Sequence, residues 1–379
     1  MPHAKCATRA KRRPMLAMLA VVCCVPLISL VSPALAAGKD NQRIVELARQ
    51  EAKQGKFMIM VSSPKAETAH RRIMDAFQKR FDINVNWEWT PLTSTVSAPR
   101  VHQQATSGLP VPSAIGGYGY NTYEQWFAKN GLDERVDWVG DFGEMFPKIK
   151  AAAVDGVLPE YRGRMLRQWD VQYVMVYNKN LVKPEAVPRS LDDLTKPEWR
   201  GRFAMSNNTP PPLDILAVDR GVDAVTELTR KLVANSPRLK PGPPAVVGAI
   251  VSGEVAVGVA GYTALAEAQK RRGAPIDWVP LDLMPVGPLF DFMLKGAPQP
   301  NLGKLFLAWL VTEGADLQED LEYMSQFSND DSATTRAIKA LRPDVKQIEV
   351  RSLDQLKLSE QASRAIMGVV SGVSGGAAK

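Results

Sequence analysis

The sequence predicts an α/β protein built on mostly parallel sheets, and three observations predict it. Strand-like and helix-like segments alternate along the chain. The run Phe57-Met58-Ile59-Met60-Val61 is apolar at every position, the pattern of a strand covered on both faces. The segments that follow the strand-like runs are short, polar and rich in glycine, hydroxyls and amides, and parallel sheets place their ligands at such ends. With 379 residues, 45% of them apolar and 23% charged, the chain is long enough for two lobes.

The elements follow in order. Ile44, Leu47 and Ala48 share a helical face over residues 43–54, closed by Gly55. After the strand at 57–61 comes a helix carrying Ile73, Met74, Phe77 and Phe81. Ile83, Val85, Trp87 and Trp89 alternate as a strand. Residues 99–108 read as a short helix, and Ser113–Ile115 as a small strand opening into a loop at Gly116–Tyr120. Tyr123–Lys129 is again helical, and Val171–Tyr177 is a strand. Residues 183–199 are rich in Pro and Asp, mostly loop. Phe203–Met205 is a short strand, followed by Ser206-Asn207-Asn208-Thr209 and three prolines. Helices are expected around Val222–Leu232, Ala245–Ser252 and Thr263–Arg272, with strands at Val255–Val259 and Ile276–Leu281. Leu302, Leu305, Phe306, Trp309 and Leu310 stripe a long helix. The Gly-, Ser- and Ala-rich tail, residues 371–379, reads as flexible.

The first 36 residues read as a secretory signal. Lys5, Arg9, Lys11, Arg12 and Arg13 form a basic start, Met15–Val31 an apolar stretch, and Ala34-Leu35-Ala36 a small-x-small cleavage site. Cleavage near Ala36–Ala37 and a periplasmic location follow. The formal charge is +7, but those 36 residues carry five of the positives and no acid, so the remainder is close to +2. The basicity therefore gives no argument for nucleic-acid binding. All three cysteines, Cys6, Cys23 and Cys24, leave with the signal, which excludes disulfides, thiol catalysis and cysteine metal ligands. Only His70 and His102 remain, too few for a multi-histidine zinc site. The Gly-x-Ser-x-Gly match at 372–376 lacks the strand before it that a nucleophile elbow needs. No phosphate-binding glycine loop is present. These readings exclude most enzyme classes and leave an unrecognised carboxylate-dependent hydrolase as the one open enzymatic alternative. No cofactor and no metal are expected.

Four segments resemble the type II extracellular solute-binding proteins of ABC transporters, in the branch that includes the ferric-iron binders. They are LARQEAKQGKFMIMVSS ending at Ser63, VMVYNKNLVKPEAVPRSLDDLTKPEWRGRFAMS ending at Ser206, SGEVAVGVAGYTALAEAQKRRGAPIDWV ending at Val279, and LKGAPQPNLGKLFLAWLVTEGADLQ ending at Gln318. The resemblance implies two α/β lobes, each a mostly parallel sheet flanked by helices, joined by crossing strands at about 174–178. Lobe 1 would comprise 37–173 plus about 283–325, and lobe 2 174–282 plus about 326–370. Ligand would lie in the interlobe cleft and be captured by hinge closure. Delivery to an inner-membrane ABC permease by a monomer follows, or to a sensor kinase in the alternative reading.

Carried over residue by residue, the resemblance implies a cleft lined by Ser62, Ser63, Tyr118, Tyr120, Trp169, Asp170, Gln172, Ser206, Asn207, Asn208, Thr209 and Tyr262. The loop around Gly287 is a further candidate, and Asp170 is either a receiver for an amine or structural. The iron binders carry two adjacent tyrosines at a strand-to-helix turn. Here that turn reads Gly261-Tyr262-Thr263, with one. Fe(III) is hard and requires several anionic oxygens. The expectation is therefore a small polar organic solute, a carboxylate or phosphonate, with ferric iron as the alternative.

Overall fold

The computed structural model describes residues 33–63, 68–90, 94–326 and 328–376. The basic and apolar parts of the expected export signal lie outside these residues. Its cleavage site, Ala34–Ala36, falls in the first turns of the opening helix, and no described helix is long and apolar enough to cross a membrane.

The first lobe begins with α1 (Pro33–Glu51), β1 (Phe57–Met60), α2 (Thr68–Phe81), β2 (Trp87–Trp89), α3 (Ser94–Thr106), β3 (Ala114–Tyr118), α4 (Tyr120–Tyr123) and α5 (Trp138–Phe142). The chain then crosses over through β4 (Met165–Gln172) and β5 (Val174–Asn178). The second lobe holds β6 (Phe203–Ser206), α6 (Leu213–Arg220), α7 (Val222–Ala234), β7 (Arg238–Lys240), α8 (Gly242–Val251), β8 (Val257–Gly258), α9 (Thr263–Lys270) and β9 (Ile276–Pro280). It returns through β10 (Leu283–Phe292) to α10 (Pro300–Leu310) and α11 (Ala315–Glu322). The chain closes with α12 (Ala333–Leu341), β11 (Lys346–Ile348) and α13 (Leu353–Gly376).

Two sheets result. One runs β11-β10-β3-β1-β2, with β4 paired to β10, and the other runs β7-β6-β8-β5-β9. In the first, β1 is parallel to β2 and β3, as its continuous apolar run requires. Each sheet is covered on both faces. Phe57, Phe77, Phe306 and Trp309 fill one side of the first sheet, and Tyr118, Phe127, Phe290 and Phe292 the other. In the second, α6, α7 and α13 cover one face, and α8 and α9 the other. Gly303 lets α10 press onto the sheet, since a Cβ there would lie 2.0 Å from the Ser113 carbonyl oxygen.

Several expectations change. The strand expected over Ile83–Trp89 is ordered only from Trp87. The Val85 N–H is taken by the Gln78 side chain, and Asp82 turns the chain with φ of 51°. The strand expected over 171–177 divides at Tyr173. There the Tyr173 N–H donates to Pro285 and the Val174 N–H to Gly261, so the chain leaves one sheet for the other. The region 326–370, expected in lobe 2, is shared, because β11 pairs in parallel with Leu283–Pro285 of β10 in the first sheet. The tail expected to be flexible is helical through Gly376 as the end of α13, and its last residues, 377–379, lie outside the described set. The glycine-serine match at 372–376 therefore sits in a helix, with no strand before it.

Candidate functional site: the interlobe cleft

β4, β5, β9 and β10 tie the lobes together, and the cleft opens where the parallel strands of both sheets end. From the first lobe, β1 delivers Ser62 and Ser63. Ser63 donates its hydroxyl hydrogen bond to the carboxylate of Glu322, the buried last residue of α11. Behind it His70 stacks on Trp89, with centroids 4.2 Å apart and planes within 2°. Its Nε2 lies 4.0 Å from Glu322 Oε1 and has no hydrogen-bond partner among the described residues.

Burial without a hydrogen bond holds the His70 pKa down at about 4. The folded state therefore keeps His70 neutral where the unfolded chain protonates it near 6.5. Stability is then lost as pH falls from about 6.5 to about 4, by an amount on the order of 3 kcal/mol at most. His70→Phe keeps a ring on Trp89 and removes the titration. Melting temperatures at pH 7 and pH 4.5 should differ less in this variant than in the wild type. An unchanged difference would show that His70 does not carry this acid sensitivity.

The glycines expected to open a cleft loop at Gly116–Tyr120 instead belong to β3. A Cβ on Gly116 would lie 1.7 Å from Asp291 Oδ1, and one on Gly117 2.0 Å from the Ser62 Cβ. They are glycines because Asp291 and Ser62 occupy that space. Tyr118 and Tyr120, expected at the cleft, are core residues. The Tyr118 hydroxyl is 2.7 Å from Ser97 Oγ, the Tyr120 hydroxyl accepts from the Leu158 N–H at 2.9 Å, and both rings pack on phenylalanines of the first lobe. Burial raises both phenols far above their ordinary range.

Asp170 is structural. It is buried and receives Arg167 at 2.8 Å, while Arg167 also reaches Glu349 at 2.9 Å. This buried three-member ion network fastens β4 to the segment after β11, and it leaves Asp170 engaged by a protein cation.

On the second lobe, Ser206, Asn208 and Thr209 at the end of β6 bond mostly to one another. Ser206 Oγ is 3.2 Å from Asn208 Oδ1, and Thr209 Oγ1 is 3.0 Å from the same oxygen. The Asn207 backbone N–H donates to Lys240, and its side chain is half-buried. Asn207–Thr209 thus follow β6 as a largely internally bonded turn.

The centre of the site is aromatic. Tyr173 and Tyr262 face each other in an isolated antiparallel bridge, so both rings lie on the same side, 6.4 Å apart and nearly perpendicular. Trp169 stands 6.1 Å from Tyr262. Gly287 borders Tyr173 and Ile215, both within about 3.6 Å of where its Cβ would be. Neither phenol oxygen is held by a hydrogen bond among the described residues. Apolar burial pushes Tyr262 up to about 12 and Tyr173 well above its ordinary value, where the nearby Asp214 and Tyr262 raise it further. The Trp169 indole N–H and one amide hydrogen-bonding position of Gln172 also lack partners, although Gln172 is anchored by the Thr263 hydroxyl at 2.8 Å.

Of the expected set, Trp169, Gln172 and Tyr262 stand together with Tyr173; Ser62 and Ser63 lie at the end of β1 beside Glu322; and Ser206–Thr209 lie at the end of β6. Tyr118, Tyr120 and Asp170 are engaged by the framework. Tyr173 was legible only as a strand residue. The signal that could have found it is its place in the first residue of the second crossing segment, directly before β5.

Residues 170–287 match the family described as bacterial extracellular solute-binding protein. Over 91 residues the chain is 37% identical to the Fe(3+)-binding periplasmic protein of Serratia marcescens, a match spanning 23% of this chain and 25% of that relative. Iron-bound HitA from Pseudomonas aeruginosa superposes with a TM-score of 0.64 at 16% identity, over 83% of this chain and 99% of that one. AfuA from Actinobacillus pleuropneumoniae, with fructose-6-phosphate bound, gives 0.61 at 18%, over 84% and 98%. The likeness to these structures shows the two-lobed fold of the periplasmic binding proteins over most of the chain. The segment through the crossing strands, residues 170–287, is similar to the bacterial extracellular solute-binding proteins.

Proposed function

We propose that this protein is the capture component of an ABC importer, exported by its leader, and that its cargo is ferric iron held in the cleft and delivered to a membrane permease. The observation that carries this reading is the meeting of Tyr173 and Tyr262. The strand-to-helix turn has one tyrosine, but the crossing strand brings a second phenol to the same face. Two phenolates are hard oxygen donors suited to Fe(III). In the empty protein apolar surroundings keep both phenols protonated, and a trivalent cation reverses that preference by replacing the protons, so loading releases them. On the first lobe, Ser63 and the buried Glu322 add an acid at the end of β1 that a closed cleft would bring toward the cation. The iron-binding relatives support this ligand over the organic solute expected from the sequence.

A second reading, an organic phosphate, has its own support in the unpartnered indole and amide groups beside Tyr262 and in the sugar phosphate bound by AfuA. Titration of metal-free protein with ferric citrate, followed by visible absorbance, separates the two. A tyrosinate-to-iron band appearing at one equivalent supports iron. No band, together with a raised melting temperature in a sugar phosphate, would replace it with the second reading.

A further inference from the structure

We infer that α13 is an interlobe strut whose grip on α4 governs the opening and closing of the cleft. The inference rests on the reading that the two lobes move on capture. α13 is a single helix of 24 residues, about 36 Å long at 1.5 Å per residue. One stripe of it runs through both lobes. Leu356 is 4% exposed and packs in the first-lobe core with Tyr118, Tyr120 and Phe290. Ala362, Ile366 and Val370, about two to four turns further on, are buried in the second-lobe core along α6 and α7.

The polar members of the same stripe make the same crossing. Asn121 of α4, just past the cleft end of β3, reaches Ser359 Oγ at 3.5 Å. Ser359 and Ser363 reach Asp214 at 3.5 and 2.9 Å. Asp214 is buried in the first turn of α6, next to the Ile215 that borders Gly287 together with Tyr173. A helix resists bending far more than the extended crossing strands do. Its long seam along α6 and α7 makes it ride with the second lobe. Relative motion of the lobes must then be taken up at the short contact with α4, at Leu356 and at Asn121–Ser359. That contact sits beside the cleft, so its making and breaking sets how readily ligand exchanges.

Residues 37–379 contain no cysteine, so one engineered pair can be locked and released without competing thiols. In Asn121→Cys/Ser359→Cys, oxidation fixes α13 to α4 and reduction frees it. Oxidised protein should show a narrower spread of interlobe distances by small-angle scattering without metal. Its exchange of iron with ferric citrate, read from visible absorbance, should be at least tenfold slower than in the reduced form. Leu356→Ala needs no cross-link and should broaden the metal-free distribution and speed exchange. Identical scattering and exchange in oxidised, reduced and Leu356→Ala protein would overturn the strut. Absence of any iron band would overturn the ferric reading alone, since the metal-free scattering still decides the strut.

Discussion

Tyr173→Phe and Tyr262→Phe should each weaken ferric binding at least a hundredfold, about 3 kcal/mol at 1.4 kcal/mol per decade, and the double variant should show no visible band at all. Each change removes one anionic oxygen, and phenylalanine has nothing to offer a hard cation in its place. Folding should be nearly untouched, because neither phenol oxygen is hydrogen-bonded among the described residues. The rings remain to pack on Trp169, Ile215 and each other. The melting temperature of metal-free protein should therefore hold while the rise on adding ferric citrate disappears. A full-strength band in either single variant would remove that tyrosine from the site. Two unaltered single variants would remove the iron reading with them.

Phe306→Ala should be the most damaging single change in the core of the first lobe. The Phe306 ring lies edge-on to Phe57 at 5.6 Å, Phe77 at 5.2 Å and Trp89 at 5.8 Å, and also meets Trp309. It is fully buried between α10 and the sheet. Deletion of a buried phenylalanine ring costs about 3–5 kcal/mol, because lost apolar burial is joined by a cavity the rigid surroundings cannot close. In a protein whose net stability is on the order of 5–15 kcal/mol, that is a large share. At roughly 2–4 °C per kcal/mol the expected fall in melting temperature is on the order of 10 °C. Thermal denaturation followed by circular dichroism measures it. A fall below about 2 °C would mean that the five-ring cluster is looser than its geometry states. Because Trp89 also backs His70, the same variant should loosen the first-lobe wall of the cleft before it touches the tyrosine pair.

The order of elements and their faces were legible in the sequence, because local pattern dictates them. The apolar run at 57–61 could only be a strand covered twice, and the stripe from Leu302 to Leu310 could only be a helix lying on it. The polar segments after β1, β6 and β8 were legible for the same reason, since strand ends in parallel sheets must turn into loops. Gly116 and Gly117 misled for a physical reason. Glycine marks either a turn or a close approach, and only the position of Asp291 and Ser62 shows that here it is a close approach within a strand.

Tyr118 and Tyr120 misled because a tyrosine can bury its ring and satisfy its hydroxyl internally. Ser97 and Leu158 supply that partner from elements far along the chain or on another helix. Asp170 reads as a free acid until Arg167, which it shares with Glu349, is seen to pair with it. The sequence by itself determined the α/β layering, the crossing segments and the lack of any cysteine beyond Cys24. Only the tertiary structure brought the proposed pair together: Tyr173 and Tyr262 are 89 positions apart, and an isolated antiparallel bridge sets both rings on one face, where the proposed cation would meet both.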